Sequence, residues 1–106
     1  MRFLGATLES TVRARFWMAA HLLAGVSTAE DLAQQTGVSR GAAQRFLTDL
    51  LDGGYVTARP AAEPKAPVEY EFTRKGRGYL KGELERWVYA GVEDAEIATM
   101  ISIGLM

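Results

Sequence analysis

The chain has 106 residues, of which 48% are hydrophobic, and its formal net charge at pH 7 is -1. This length suits one small domain with a modest core and excludes a large enclosed active-site cavity. The chain has no cysteine, which excludes disulfides and thiolate zinc sites and favours a cytoplasmic setting, and no apolar run approaches the roughly 20 residues that would span a membrane.

The first predicted helix begins at Ser10, which can cap it, and runs to about Ala24. Its apolar residues recur at helical spacing, and Gly25 supplies the stop. The only histidine, His21, lies within this apolar pattern, so a core or boundary role is expected for it rather than catalysis or metal binding. The apolar residues are Leu8, Val12, Phe16, Ala19, Leu22 and Leu23.

A short second helix and a tight turn are predicted next. Ser27 and Glu30 have capping-box spacing, in which each side chain satisfies an unpaired backbone N–H, so the helix begins there and ends near Gln35. Gly37 then allows a left-handed backbone turn.

The third predicted helix, residues 39–52, has an apolar and a polar face. Ser39 can cap its first turn, and two glycines at 53–54 end it. The apolar stripe consists of Ala43, Phe46, Leu47, Leu50 and Leu51.

Two strands are predicted after these helices. Residues 55–59 and 68–73 alternate in the strand period and are rich in β-branched and aromatic side chains, which predicts a hairpin. The loop between them contains all three prolines and is expected to be extended and exposed. Glu69 and Glu71 share the outer face of the hairpin, which is typical of solvated strand residues rather than of an acid/base pair.

Thr73 can cap a fourth helix with a basic beginning. Residues 74–81 carry four basic residues and no acid, whereas no basic residue follows Arg86. The charge is thus sorted along the chain, which can give a neutral protein one basic face.

The glycines of the fourth helix superficially resemble a dinucleotide-binding loop. Their spacing is wrong, and no βαβ unit surrounds them. We therefore expect that the protein is not an enzyme and binds neither a cofactor nor a metal. The three glycines are Gly76, Gly78 and Gly82.

The last segment, residues 91–106, is predicted to be an apolar helix that follows a domain of residues 1–90. Acids in its first turn complement the helix dipole. Together with two apolar residues of the fourth helix, the apolar residues of this segment are more than so small a core comfortably covers, which favours a dimerisation tail; the alternative is that they pack back on the first helix. They are Leu84, Trp87, Ile97, Met100, Ile101 and Leu105.

The order of three helices, strand, loop, strand and helix resembles a winged helix-turn-helix. The short link between the second and third helices carries the residues typical of that signature, which are Ala33, Gly37, Val38, Ala43 and Phe46. The stretches "GGYV" and "YEFTRKGRGYL" look like those of MarR/PadR-type and IclR-type transcriptional regulators, and the resemblance covers roughly residues 16–84. It implies a mainly α fold with a small β-hairpin, in which a two-stranded wing and C-terminal helices follow three helices.

In such a fold the third helix enters the major groove of double-stranded DNA with the face opposite its apolar stripe. That face contains Arg40, Gly41, Gln44, Arg45 and Thr48. The arginines suit guanine or phosphate, Gln44 suits adenine, and Ser39 suits a phosphate at the helix N-terminus.

The resemblance also implies that two cations of the wing, Arg59 and Lys65, contact phosphate or the minor groove. Other basic residues are weaker candidates for the DNA interface. These are Arg13, Arg15, Arg74, Lys75 and Arg77.

Two functions remain open at this point. The first is a transcriptional regulator, most simply a repressor that binds a palindromic operator as a homodimer, because a neutral monomer gains little from counterion release. The second is an interaction or assembly module with a protein partner, which the neutral charge and the acidic, apolar tail favour, since a fold alone does not fix function.

Overall fold

A computed structural model of the chain describes residues 8–60, 66–89 and 95–106. These parts form a mainly α fold with one antiparallel hairpin, as the sequence predicts; the domain boundary expected at residues 90 and 91 lies outside them. The elements are α1 (Leu8–Leu23), α2 (Ala29–Thr36), α3 (Arg40–Asp52), β1 (Val56–Arg59), β2 (Glu69–Phe72), α4 (Arg74–Tyr89) and α5 (Ala95–Leu105).

Helix α1 is the central support of the molecule. It is already helical at Leu8, so Ser10 lies inside the helix, and the prediction that Ser10 caps it was wrong. Met18 and Ala20 are buried together with Phe16, Ala19 and Leu22 of the predicted stripe, because α1 packs against α2 and β2 as well as against α5. The His21 ring stays at the boundary, with Nδ1 3.0 Å from the carbonyl oxygen of Trp17.

Helix α2 begins one residue later than the capping box predicts. Thr28 is the cap: its Oγ1 accepts from the backbone N–H of Asp31 at 3.1 Å. Ser27 instead uses its carbonyl oxygen to accept from the N–H of Tyr70 at 2.7 Å, so its backbone is committed to the hairpin. The predicted turn at Gly37 is confirmed, with φ of 78°.

Helix α3 buries the predicted apolar face. Ser39 caps it, since its Oγ accepts from the N–H of Ala42 at 3.1 Å. Burial of one large apolar side chain contributes about 1.5 to 3 kcal/mol, so this face is enough to hold α3 against its neighbours. Leu51, at the edge of the stripe, is 39% exposed. The buried residues are Ala43, Phe46, Leu47 and Leu50.

The hairpin has an inner and an outer face. Val56 pairs with Phe72 and Ala58 with Tyr70, and Val56 and Tyr70 are buried. The pairs that alternate with them, Thr57 with Glu71 and Arg59 with Glu69, lie on the other face. This register turns the two glutamates outward, as expected.

Thr73 joins the hairpin to both neighbouring helices. Its N–H donates to the carbonyl of Tyr55 at 2.9 Å, and its Oγ1 donates to the carbonyl of Gly54 at 2.9 Å. The same Oγ1 accepts from the N–H of Gly76 at 3.0 Å, which confirms Thr73 as the cap of α4. A Cβ at position 76 would collide with the Tyr55 carbonyl, so only glycine fits there.

Helix α5 packs back on α1 and α4 within the same chain. Ile97 and Ile101 are fully buried, and the rings of Phe16 and Trp87 stack with centroids 4.4 Å apart. This is the alternative that the sequence left open, so the predicted dimerisation residues do not form an exposed surface in this arrangement. Leu84, Trp87, Ile97 and Ile101 belong to the core, and Met100 and Leu105 are partly buried against it.

Candidate nucleic-acid interface

The outer face of α3 brings together the side chains that the sequence assigns to DNA. All six residues lie on the side of α3 that points away from the core, and all are exposed to solvent. They are Ser39, Arg40, Gly41, Gln44, Arg45 and Thr48. Because the apolar face of the same helix is buried, this orientation is fixed by the packing of the core.

Two guanidinium groups dominate the electrostatics of this face. Arg40 and Arg45 are exposed, and the side chain of neither has an ion pair or hydrogen bond to another residue in the described ranges. Gly41 lies beside them in open space, since a Cβ there would have no neighbour within 4 Å. The face therefore presents two cations beside Gly41, where the absence of a side chain lets a DNA groove approach the backbone closely.

Ser39 and Gln44 are held by hydrogen bonds. The Ser39 oxygen accepts from Ala42, which leaves its own O–H to donate to a phosphate. The Gln44 Nε2 lies 3.3 Å from Thr48 Oγ1 and 3.2 Å from Tyr70 Oη. Tyr70 thus reaches from β2 to the outer face of α3. The strand pattern places Tyr70 on the inner face of the hairpin but cannot show this bond.

The wing contributes one described cation. The Arg59 Nη2 lies 3.4 Å from Glu69 Oε1, and both side chains are largely exposed. An exposed ion pair of this kind contributes about 0 to 1 kcal/mol, so Arg59 can exchange Glu69 for a phosphate at little cost. Lys65, the other predicted wing cation, lies outside the described residues.

Arg15 of α1 neutralises an acid of α3. Its Nη2 donates to Asp49 Oδ2 at 2.9 Å, and its guanidinium carbon lies 6.0 Å from the centre of the Phe46 ring. Asp49 could repel a phosphate, and this ion pair reduces that effect.

Two cations at the start of α4 hold elements together instead of extending the basic face. Arg77 donates to the carbonyl of Gly104 at 2.8 Å, at the C-terminal end of α5. The Lys75 ammonium lies 5.2 Å from the centre of the Tyr55 ring. Two of the four basic residues in the run 74–81 therefore stabilise the fold.

A cleft of about 210 Å³ lies between α1, α3, β2 and α4. Most of its lining is apolar, with Arg15 and Glu83 as its charged members. Burial raises the pKa of Tyr79 above its ordinary value, and the Glu83 carboxylate adds to this shift.

In the described parts of the chain no group of three or more His, Asp or Glu could hold a metal ion, and no helix there is long and apolar enough to cross a membrane.

Comparison with known proteins identifies the fold. No family model and no curated protein matches the sequence, but solved structures share its fold. ZitR of Lactococcus lactis, a zinc-responsive MarR family member, superposes with a TM-score of 0.56 at 19% identity, over 95% of this chain and 74% of that chain. Wild type MarR from E. coli, in the apo form, superposes with a TM-score of 0.57 at 21% identity, over 85% of this chain and 73% of that chain.

A third structure with this fold is a complex. FabT of Streptococcus pneumoniae, in complex with DNA, superposes with a TM-score of 0.53 at 19% identity, over 94% of this chain and 71% of that chain. Three solved structures thus share the overall fold of this chain. The chain has the MarR-type winged helix-turn-helix fold, as its sequence motifs imply.

Proposed function

We propose that the chain is a DNA-binding transcriptional regulator, a cytoplasmic homodimeric repressor that reads the major groove with α3. The observation that carries this proposal is the outer face of α3, where Arg40 and Arg45 are exposed and have no partner in the described parts of the chain. The DNA complex of FabT, which has the same fold, supports it.

The dimensions of α3 suit a groove. Its 13 residues span about 20 Å, and the major groove is about 12 Å wide. Arg40, Gly41 and Gln44 lie in the N-terminal half of α3, which is the half that meets base edges in helix-turn-helix complexes. The first turn of α3 contains no acid, so its N–H groups keep their attraction for a phosphate.

The charge of the whole chain makes a homodimer necessary in this proposal. A chain of net charge -1 with a few phosphate contacts gains little affinity from counterion release, and two copies on two half-sites double those contacts. Apolar residues that remain exposed near the end of α4, on α5 and directly after α5 support a dimer contact there. They are Val88, Ile103 and Met106, which are 54%, 64% and 96% exposed.

The test of DNA binding begins with selection from a randomised duplex pool, followed by titration of the enriched duplex. Arg40→Ala and Arg45→Ala should each weaken binding at least about fivefold, because a good base contact is worth about 1 to 3 kcal/mol. Arg86→Ala is the matched control, since Arg86 lies on α4 and pairs with Glu83. Equal affinities of the wild type and the three variants would show that α3 does not contact the DNA. A pool in which no duplex is enriched would favour the interaction module instead.

Sedimentation of the free protein tests the dimer. Ile103→Asp should yield monomers, because a carboxylate in an apolar interface is costly to desolvate. Val68→Asp makes the same kind of change at an exposed position next to the wing and should leave the dimer mass unchanged. A dimer mass for Ile103→Asp would place the contact elsewhere.

A further inference from the structure

The side chain of Tyr70 connects the wing to the outer face of α3. It is only 9% exposed, and its position in β2 is fixed by pairing with Ala58 and by the bond from its N–H to the Ser27 carbonyl. Strand pairing, burial and this bond therefore restrain the phenol ring. Its hydroxyl is a rigid partner for Gln44 rather than a passing contact.

The Gln44 amide nitrogen has two N–H groups, and both have partners within the protein. The nitrogen lies 3.2 Å from Tyr70 Oη and 3.3 Å from Thr48 Oγ1, so there is one hydroxyl acceptor for each N–H. A glutamine amide has two such donors and one carbonyl acceptor. What Gln44 presents to a base is therefore its carbonyl oxygen.

We propose that Tyr70 is a positioning residue that restricts Gln44 to accepting a hydrogen bond, so that Gln44 selects adenine or cytosine without distinguishing them. In the major groove adenine and cytosine both present an amino donor, whereas guanine and thymine present a carbonyl acceptor that repels the Gln44 oxygen. This proposal rests on the proposed function, in which α3 reads the groove.

The usual pairing of glutamine with adenine is bidentate and needs an amide N–H for N7 of the base. To supply that N–H, Gln44 must break one of its hydrogen bonds to a hydroxyl group. Breaking the bond to Tyr70 leaves its phenol hydroxyl without this partner at a partly buried site, which carries a desolvation cost. The bond to Tyr70, rather than the bond to the exposed Thr48, is therefore the one that opposes the bidentate mode.

The experiment measures affinity for four duplexes that differ only at the base pair read by Gln44. That position is first located as the one where Gln44→Ala removes all preference. The wild type should bind the adenine and cytosine duplexes within about twofold of each other, and both at least about fivefold more tightly than the guanine and thymine duplexes. Tyr70→Phe frees one N–H, so its adenine duplex should gain at least about fivefold over its cytosine duplex.

The matched control is Tyr79→Phe, which removes a phenol hydroxyl from α4 and should leave the four affinities in wild-type proportion. Thr48→Val frees the other N–H at an exposed position, so it should also favour adenine, and it replaces Tyr70→Phe if that variant does not fold. A purely structural role for Tyr70 would lower all four affinities together and would not change their order.

Three results would overturn the proposal. The first is a wild type that already prefers adenine to cytosine by about fivefold or more. The second is an unchanged adenine-to-cytosine ratio in Tyr70→Phe and Thr48→Val, while Gln44→Ala still removes the preference. The third is a wild type that selects no duplex at all, in which case the proposed function fails as well; the first two results leave that function intact.

Discussion

At the scale of single residues, Gly37 shows how one backbone angle determines the amino acid. Its φ is 78°, and its N–H donates to the carbonyl of Ala33 at 2.9 Å to close α2. A Cβ there would have no neighbour within 4 Å. The cost of a side chain at this turn is therefore conformational and does not come from a clash.

Gly37→Ala should lower the free energy of unfolding by about 1 to 2 kcal/mol, because a side chain disfavours the left-handed region. Gly78→Ala is the matched control: Gly78 lies in α4, also in open space but without a positive φ. That change should raise the free energy of unfolding by about 0.5 to 1 kcal/mol. Urea denaturation of both variants measures the difference, and shifts of the same sign would contradict the account of the turn.

The caps show what the sequence can predict at this scale. Ser39 and Thr73 were predicted correctly, because each is the hydroxyl residue directly before a helix and accepts from an N–H three residues ahead. Ser27 and Thr28 both fit such a pattern, and the choice between them depends on the bond from Tyr70 to the Ser27 carbonyl. That bond joins residues far apart in sequence, so local spacing could not reveal it.

At the scale of elements, α5 closes the core that α1 begins. Ile97 and Ile101 are fully buried, and Gly104 lies so close to Leu23 that an added Cβ would be 2.8 Å from the Leu23 Cβ. Arg77 donates to the Gly104 carbonyl, which places a cation at the negative end of the α5 dipole. The C-terminal helix is thus an integral part of the fold.

Ile101→Ala should lower the free energy of unfolding by about 2 to 5 kcal/mol, because it leaves a cavity in the core. Thr99→Ala, at an exposed position of the same helix, should change it by less than about 0.5 kcal/mol. The loss in Ile101→Ala should not depend on protein concentration. If the decrease in the free energy of unfolding becomes smaller as the protein concentration rises, Ile101 would instead lie at an interface between two copies.

The periodicity of the sequence identifies apolar faces but not what covers them. The stripes of α3 and α5 were predicted from spacing alone, and the residues Phe46 and Ile101 are buried as that spacing requires. Whether Trp87 contacts a second copy or Phe16 of its own chain depends on how α4 lies against α1, which helical periodicity does not specify. Fold class and the outer face of α3 were therefore predictable, while the partner of the tail was not.

At the scale of the whole molecule, charge is balanced overall and uneven locally. The chain has 12 basic and 13 acidic residues, yet the start of α3 carries two cations and no acid in its first turn. The acid Asp49, which lies further along α3, forms an ion pair with Arg15 of α1. Association with a polyanion therefore depends on how the molecule is oriented and not on its net charge.

Arg59→Ala should weaken binding about equally to all duplexes and lower the slope of log affinity against log salt concentration by about 1 for each phosphate that Arg59 neutralises in the wild type. The reason is that Arg59 lies on the outer face of the wing, where phosphate rather than base edges is expected. Titrations of the selected and a scrambled duplex at several salt concentrations measure both effects. Arg86→Ala is the control, and weaker binding of the selected duplex alone would assign Arg59 to base recognition.

Thr73 has a mechanical consequence. Through three hydrogen bonds it ties the segment after α3, the residue before β1 and the first turn of α4 to one point. A force on α4 is therefore transmitted through these hydrogen bonds directly to the end of α3 and to the hairpin. Under the proposed function, displacement of α4 would therefore move α3 and the wing together.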